Sequence, residues 1–149
     1  MTEVLFYHLS AKRVEDVIPE LLEKSLARGW NAVVHSASET QIEALSLALW
    51  SYRDESFLPH ASKAGGEGAE QPVWLTDTDD NPNGASIRFL IDGASIDNAS
   101  SYERLVYMFD GNNSDALDHA RARWKVEKAA GHDVTYWAQN ETGRWEKKA

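Results

Sequence analysis

The stretch that decides the fold lies close to the amino terminus and reads VLFYHL at residues 4–9. It is short, apolar and rich in aromatic residues, which is typical of a buried strand in a parallel sheet. A helix is predicted to follow this strand, and Gly29 is predicted to end it as a carboxy-terminal cap. Pro19 interrupts that helix, which either begins near Val17, with Pro19 in its first turn, or kinks at Pro19. The helical period itself is carried by apolar residues three and four positions apart: Val14, Val17, Ile18, Leu21, Leu22 and Leu26.

The same order of elements repeats immediately downstream. Residues 30–35 read WNAVVH and predict a second strand. Ser38 and Gln41 fit a capping box, in which a serine and a glutamine three residues apart satisfy the first amides of a helix. The helix that they begin is predicted to run to about Tyr52. Strand, helix, strand and helix in this order indicate a parallel βαβ unit.

The rest of the chain continues the alternation. Further strands are predicted at residues 72–76, 87–91, 103–109 and 134–137, and loops at residues 60–71, 77–84 and 93–101. A third helix is predicted from about Asp115 to Ala130, capped by Asn113 or Ser114 and stopped by Gly131. From Glu141 onward we expect a short polar tail that contains Trp145. Three helices and about six strands predict one domain over residues 1–149, a three-layer α/β sandwich with a mostly parallel or mixed sheet.

Composition excludes several classes of function. The chain has 149 residues, no cysteine, six tryptophans and a formal net charge of −9. The lack of cysteine excludes disulfides, zinc ribbons, iron–sulfur ligation and thiol nucleophiles. A chain this acidic repels a polyphosphate, so we expect little or no direct DNA binding. Six tryptophans indicate a packed core and at least one contact surface lined by aromatic rings.

Segments that would direct the chain to a membrane are not predicted. No run approaches the roughly 20 apolar residues of a membrane span. The first seven residues, MTEVLFY, contain neither a basic segment nor a long apolar stretch, so we expect no signal peptide. The expected location is the cytoplasm.

The sequence lacks the motifs that would indicate catalysis or cofactor binding. A phosphate loop needs glycines and a lysine–hydroxyl pair after the first strand, where this chain reads HLSAK at residues 8–12. A calcium loop starting at Asp77 would need glycine at its sixth position and glutamate at its twelfth, where this chain has Pro82 and Arg88. His8 and His35 are predicted at strand ends, where the simplest role is a hydrogen bond at the rim of the sheet. We therefore expect no catalytic residues, no metal and no cofactor.

One local feature opposes the overall charge. Residues 121–128 carry a formal charge of +3. Because the total is −9, the rest of the chain carries −12. Helical spacing places Arg121, Trp124, Lys125 and Lys128 on one face. Such a stripe suits an anion with an apolar part, because arginine forks onto a carboxylate while an apolar group packs beside the indole. The alternative is a solvated helix end, with Trp124 turned into the core.

A second feature is a group of apolar residues in a predicted connection. Trp50 lies near the end of the second helix, and Phe57, Leu58 and Pro59 follow in an apparent loop. Apolar residues in a connection are either packed beneath it or exposed for a partner. Periodicity does not decide between these two possibilities.

Taken together, these residues resemble the chi subunit of bacterial DNA polymerase III. The similarity covers nearly the whole chain, in the order of the family. Its most specific parts are ALW at residues 48–50 followed by ESFLPH at residues 55–60, and then ARARWK at residues 120–125. Residues 4–7 and the stretch LLEKSLARGW at residues 21–30 also match.

The resemblance implies a non-catalytic accessory subunit with a P-loop-like topology that lacks the phosphate loop. It implies two partners, the psi subunit of the clamp-loader complex and the acidic C-terminal tail of the single-stranded-DNA-binding protein, which ends in phenylalanine. The family's tail-binding arginine, aromatic residue and lysine correspond to Arg121, Trp124 and Lys125. The psi-facing surface corresponds to Trp50 and Phe57, with Leu58 and Pro59 beside them. Tyrosine is frequent in the family at the position of Trp124, which has no hydroxyl to donate.

An alternative from another functional class is an α/β hydrolase or nucleotide-dependent enzyme with a degenerate site. An α/β sheet commonly binds nucleotides, which keeps this alternative in view despite the missing motifs. A nucleotide-binding screen combined with a hydrolysis assay separates the two hypotheses.

Overall fold

The computed structural model describes residues 2–10, 14–50, 60–62, 73–77, 81, 84–91, 93–94, 96, 101–140, 142 and 144–148, with only the backbone described at residues 15, 39, 46–50 and 60–62. Helices and strands alternate along much of the chain. In order they are β1 (Glu3–Leu9), α1 (Val14–Ala27), β2 (Ala32–Ser36), α2 (Glu39–Trp50), β3 (His60–Ser62), β4 (Val73–Thr76), β5 (Ile87–Ile91), β6 (Arg104–Asp110), α3 (Ser114–Ala129), β7 (Asp133–Gln139) and β8 (Trp145–Lys147).

The strands of the described residues form one eight-stranded sheet in the order β3-β4-β2-β5-β6-β1-β7-β8. All neighbouring pairs are parallel except β7 and β8, which are antiparallel. Every residue of β2, β4 and β5 is buried. Burial on both faces explains why these strands are mostly apolar and lack an alternating pattern. The buried exceptions Arg88 of β5 and His35 of β2 lie 2.8 Å apart, from Arg88 Nη2 to His35 Nδ1.

Two apolar cores lie on opposite faces of the sheet and make the three layers. Helices α1 and α2 cover one face, through side chains such as Ile18, Leu22 and Leu45. Helix α3 covers the other face, where Ala120 and Trp124 contact a second cluster that includes Phe6. The predicted three-layer α/β sandwich is therefore confirmed, with a mostly parallel sheet.

Side chains cap the starts of α2 and α3, and at α2 the Ser38 amide donates to Ser36 Oγ at 3.0 Å. The Ser38 hydroxyl accepts a hydrogen bond from the Gln41 amide at 3.3 Å, and the Asn113 side chain, which is the one that caps α3, accepts from two amides of its first turn. Gly29 and Gly131 end α1 and α3 with positive φ angles of 83° and 85°. Helix α1 begins at Val14, so Pro19 lies in its second turn and the start near Val17 was wrong.

Two predictions of loop structure were wrong at the edges of the sheet. Residues 60–62, assigned to a loop, form β3 beside β4, and residues 145–147, assigned to the polar tail, form β8 beside β7. Asn140 organises the turn into β8, because its side-chain oxygen accepts hydrogen bonds from the amides of Thr142 and Arg144. Trp145 packs its ring edge-on against Tyr7 at 4.8 Å between centroids. Strands of three residues are too short to show a periodicity.

The length and hydropathy of a helix decide whether it can span a bilayer. None of the helices in the described ranges is long and apolar enough to cross a membrane.

Candidate functional site

Helix α3 presents the cationic stripe that its spacing predicts. Arg121, Lys125 and Lys128 are exposed, and Arg121 keeps 69% of its side-chain surface accessible. The only carboxylate near Arg121 among the described ion pairs is Asp118, at 4.0 Å, and both side chains are exposed. An exposed pair at this distance contributes little, so the guanidinium can exchange it for another anion.

Trp124 lies at the boundary between this stripe and the core. Its ring meets Phe6 edge-on at 5.5 Å and Tyr136 at 5.8 Å between centroids. The Lys128 ammonium lies 5.1 Å from the centroid of the Trp124 ring, within the range of a cation–π contact. Trp124 is half-buried. Trp124 is therefore packed against the core, as the second alternative expects, while part of its side chain stays accessible on α3.

The inner side of α3 carries a buried ionic cluster that the sequence analysis did not find. The Arg123 guanidinium donates to Glu127 Oε1 at 2.8 Å and to the Tyr107 hydroxyl at 3.2 Å. Tyr107 in turn donates to Glu127, whose side chain is only 3% exposed, and His132 Nε2 lies 3.6 Å from the other carboxylate oxygen. Burial raises the pKa of Tyr107 to about 12. These contacts fix the helix on the sheet.

A helical-spacing signal could have located this cluster. Arg123 and Glu127 are four residues apart, and both follow the small residues Ala116 and Ala120 on the side of α3 that faces the sheet. An arginine and a glutamate at that spacing on the apolar side indicate a paired, buried contact. Arg123 thus differs in role from Arg121, although both belong to the same ARARWK segment.

His8 and Tyr136 extend the site beyond the helix. His8 lies near the end of β1 and Tyr136 in the middle of the neighbouring parallel strand β7, and His8 Nδ1 is 2.8 Å from the Tyr136 hydroxyl. The simple reading of His8 as a hydrogen-bonded histidine at the sheet rim is confirmed. Gly111 makes room for it, because a Cβ at that position would lie 1.7 Å from His8 Nε2. Burial raises the pKa of Tyr136, and the nearby Arg121 charge partly offsets this.

Titration of His8 provides a test of this arrangement. Burial is the main cause that lowers the pKa of His8; Asp110 opposes this and Arg121 adds to it. The folded state therefore prefers neutral His8, while the unfolded chain takes up the proton near pH 6.5. Stability from this group is present above about pH 6.5 and decreases as the pH falls toward the folded-state pKa. In NMR titrations, we expect His8 to titrate below pH 6.5 and Arg121→Gln to raise its pKa. An unchanged value in that variant would place Arg121 away from His8.

The carboxyl edge of the sheet contains a cleft where α/β proteins commonly bind nucleotides. Helix α1 leaves β1 on one face and α3 leaves β6 on the other, so these neighbouring strand ends form the topological switch point. The cleft has a volume of about 470 Å³, and its polar lining includes Asp110, Asp115 and His119. Carboxylates at this position oppose a phosphate. The described residues contain no group of three His, Cys, Asp or Glu side chains that could hold a metal ion.

The predicted partner-facing patch falls largely outside the described residues. Trp50 is the last residue of α2, and its side chain is not described. Phe57, Leu58 and Pro59 lie in residues 51–59, also outside the described part of the chain. The alternatives of a packed loop and an exposed patch therefore stay open.

The fold and the site define a class of protein: a three-layer α/β protein with a mostly parallel sheet, no phosphate-loop sequence after β1, and a cationic aromatic face on α3. The family described as DNA polymerase III chi subunit, HolC, matches residues 1–135. The chain belongs to this family and is a component of a DNA polymerase complex.

Two relatives are similar to the chain. A Rickettsia prowazekii (strain Madrid E) protein, named as a probable DNA polymerase III subunit chi, is 29% identical over 154 aligned residues, which cover 100% of this chain and 93% of the relative. A DNA polymerase III subunit chi from Pseudomonas aeruginosa is 37% identical over 78 residues, which cover 50% of this chain and 54% of the relative.

Proposed function

We propose that this chain is a non-catalytic accessory subunit that links the clamp-loader complex of DNA polymerase III to the single-stranded-DNA-binding protein, in the cytoplasm. Membership of the chi family supports the assignment to the polymerase. The observation that carries the link is the stripe of exposed Arg121, Lys125 and Lys128 beside the half-buried Trp124, in a chain of net charge −9. A surface of this kind fits the acidic C-terminal tail of the single-stranded-DNA-binding protein, and the proposal includes little or no direct DNA binding.

The geometry suggests how the tail would be held. Arg121 and Lys125 are exposed cations one helical turn apart and can receive the terminal carboxylate and acidic side chains. The half-buried Trp124 ring, backed by Tyr136, provides a firm wall for the terminal phenylalanine. Lys128 lies over the same ring, so an entering phenylalanine would share or displace that contact. We therefore expect Arg121 to contribute more to tail binding than Lys128.

Calorimetric titration of a synthetic acidic tail peptide tests the proposal. Arg121→Ala is expected to weaken binding by about 1–2 kcal/mol, roughly 5–30-fold, because the guanidinium is exposed before binding and only partly desolvated after it. Lys128→Ala should weaken binding less. Affinity should fall as salt rises, and removal of the terminal phenylalanine should cost affinity at every salt concentration.

Arg144→Ala is the matched control, because Arg144 is an exposed arginine in the turn before β8, away from α3. It should bind the peptide like the unmodified chain. Equal affinity of the unmodified chain and an Arg121→Ala, Lys125→Ala double variant would remove α3 from the tail-binding site.

The second partner, psi or another clamp-loader component, is proposed to bind through Trp50, Phe57, Leu58 and Pro59. We expect Phe57→Ala to weaken assembly with the clamp-loader complex, measured by co-purification, while the free energy of unfolding stays close to that of the unmodified chain. If Phe57→Ala instead costs the roughly 3–5 kcal/mol typical of a buried aromatic residue, the patch belongs to the core.

A further inference from the structure

The cationic face of α3 continues onto the sheet through one pair of polar side chains. The Tyr136 ring of β7 meets the Trp124 ring of α3 edge-on, with 5.8 Å between the centroids. The Tyr136 hydroxyl lies 2.8 Å from His8 Nδ1, near the carboxyl end of β1. His8 and Tyr136 are half-buried, and Ser10 and Asp110 at the same edge of the sheet are exposed. The pair therefore reaches the surface beside α3.

Arg121 is the charged group of α3 that acts on both members of this pair. Burial lowers the pKa of His8, Asp110 opposes this shift, and the Arg121 charge adds to it. Burial raises the pKa of Tyr136, and the Arg121 charge opposes that shift. The charged groups that face His8 within the described residues are thus Asp110 from β6 and Arg121 from α3. Because the Arg121 side chain is 69% exposed, a carboxylate can approach its guanidinium and the Tyr136 hydroxyl together.

The hydroxyl of Tyr136 is engaged as long as His8 is neutral. A neutral imidazole has one ring nitrogen that accepts, and a phenol is a good donor, so we assign the proton of this hydrogen bond to Tyr136. A protonated imidazole has N–H groups on both nitrogens, so Nδ1 would donate to the Tyr136 oxygen. The hydroxyl proton could then point to another acceptor. Protonation of His8 therefore makes Tyr136 an available donor.

A carboxylate bound at Arg121 would favour the protonated state of His8. It would offset the positive charge that disfavours the proton, and it would accept a hydrogen bond from the released Tyr136 hydroxyl. Exposed Asp110 also favours the proton on His8. Coupling between two binding events is reciprocal, so the proton would raise the affinity for the carboxylate by the same factor as the carboxylate raises the affinity for the proton.

We propose that the Tyr136 hydroxyl is a further donor to a carboxylate of the acidic tail, beside Arg121, and that uptake of a proton by His8 releases this donor. The inference rests on the proposed tail-binding function, to which it adds two residues outside α3. It predicts that the tail binds more tightly as the pH falls through the range in which His8 titrates. The carboxyl groups of the tail stay ionised above about pH 5, so they do not account for such a change.

Calorimetric titration of a synthetic acidic tail peptide into the full chain, at about pH 5.5 and about pH 7.5, measures the coupling. We expect the affinity to be about threefold or more higher at the lower pH, because the proton adds one charge and one donor to the site. His8→Gln should lose most of this difference. His119→Gln is the matched control, because it replaces a half-buried histidine on α3 itself, and it should keep the difference.

Tyr136→Phe tests the released donor separately, because it retains the ring beside Trp124 and removes only the hydroxyl. It should weaken peptide binding about threefold at the lower pH, in the range expected for one hydrogen bond, and should change it little at the higher pH. In NMR titrations of the unmodified chain, saturating peptide should raise the pKa of His8, and Tyr136→Phe should reduce that rise.

The outcomes separate this inference from the function on which it rests. Equal affinity at the two pH values, or a difference that His8→Gln retains, would overturn the inference and leave tail binding in place. An unchanged pKa of His8 in the presence of bound peptide would do the same. Absence of binding at both pH values would overturn the tail-binding function and the inference together.

Discussion

Replacing Glu127 by alanine should destabilise the folded chain by about 3–5 kcal/mol, the cost of removing one partner of a buried ion pair. The Glu127 carboxylate accepts hydrogen bonds from the Arg123 guanidinium at 2.8 Å and from the Tyr107 hydroxyl at 3.2 Å. Both donors would lose their acceptor. The Arg123 side chain is only 17% exposed, so water would replace the lost carboxylate only in part. The uncompensated charge of the guanidinium would then destabilise the folded state. Urea denaturation followed by tryptophan fluorescence measures the change.

Asp118→Ala is the control on the same helix, because Asp118 is 76% exposed and should change stability by less than about 0.5 kcal/mol. A joint replacement of Arg123 and Glu127 by leucine should recover part of the loss, since no charge is then left buried. Similar effects of Glu127→Ala and Asp118→Ala would contradict the buried cluster.

The second large effect is expected at Phe6, which is fully buried at the centre of the aromatic cluster beneath α3. Its ring stacks on Tyr107 at 4.8 Å and meets Trp124 at 5.5 Å. Phe6→Ala should cost about 3–5 kcal/mol, because it removes both apolar burial and these ring contacts. It should also weaken binding of the tail peptide, since Trp124 would lose the surface that orients it.

Val126→Ala is the matched control, because this apolar residue of α3 is 49% exposed and faces away from the cluster. It should leave stability and peptide binding nearly unchanged. If Phe6→Ala lowers stability but leaves peptide affinity intact in the folded population, the orientation of Trp124 does not depend on Phe6 and the binding part of the prediction fails.

The main elements of the fold could be predicted because their signals are local. Strand β5 spans Ile87–Ile91, the bounds that its mostly apolar sequence predicts, and α3 starts and stops where Asn113 and Gly131 predict. Buried parallel strands and capped amphipathic helices both have sequence patterns of useful length. Strands β3 and β8 escaped prediction because the ladder bonds to a neighbouring strand, and not their own three residues, define them.

The candidate site was predictable only in part, for a different physical reason. Helical spacing gives the angle between Arg121 and Lys125 but does not give the angle at which the helix meets the sheet. That angle makes Trp124 half-buried and places Arg123 and Glu127 inside, where charged residues are rarely found. The contact between His8 and Tyr136 depends on the pairing of β1 with β7, which brings together residues 128 positions apart in the sequence.

The short strands at the two ends of the sheet have a consequence for behaviour in concentrated solution. A long, flat edge strand offers unpaired amides and carbonyls to another chain and is a common route to aggregation. Here β3 and β8 each have only three residues, and β8 carries exposed Glu146 and Lys147. An incoming strand would gain few ladder hydrogen bonds at either end and would meet charge at one of them. Neither β3 nor β8 is therefore a strand on which further copies of the chain would readily add edge to edge.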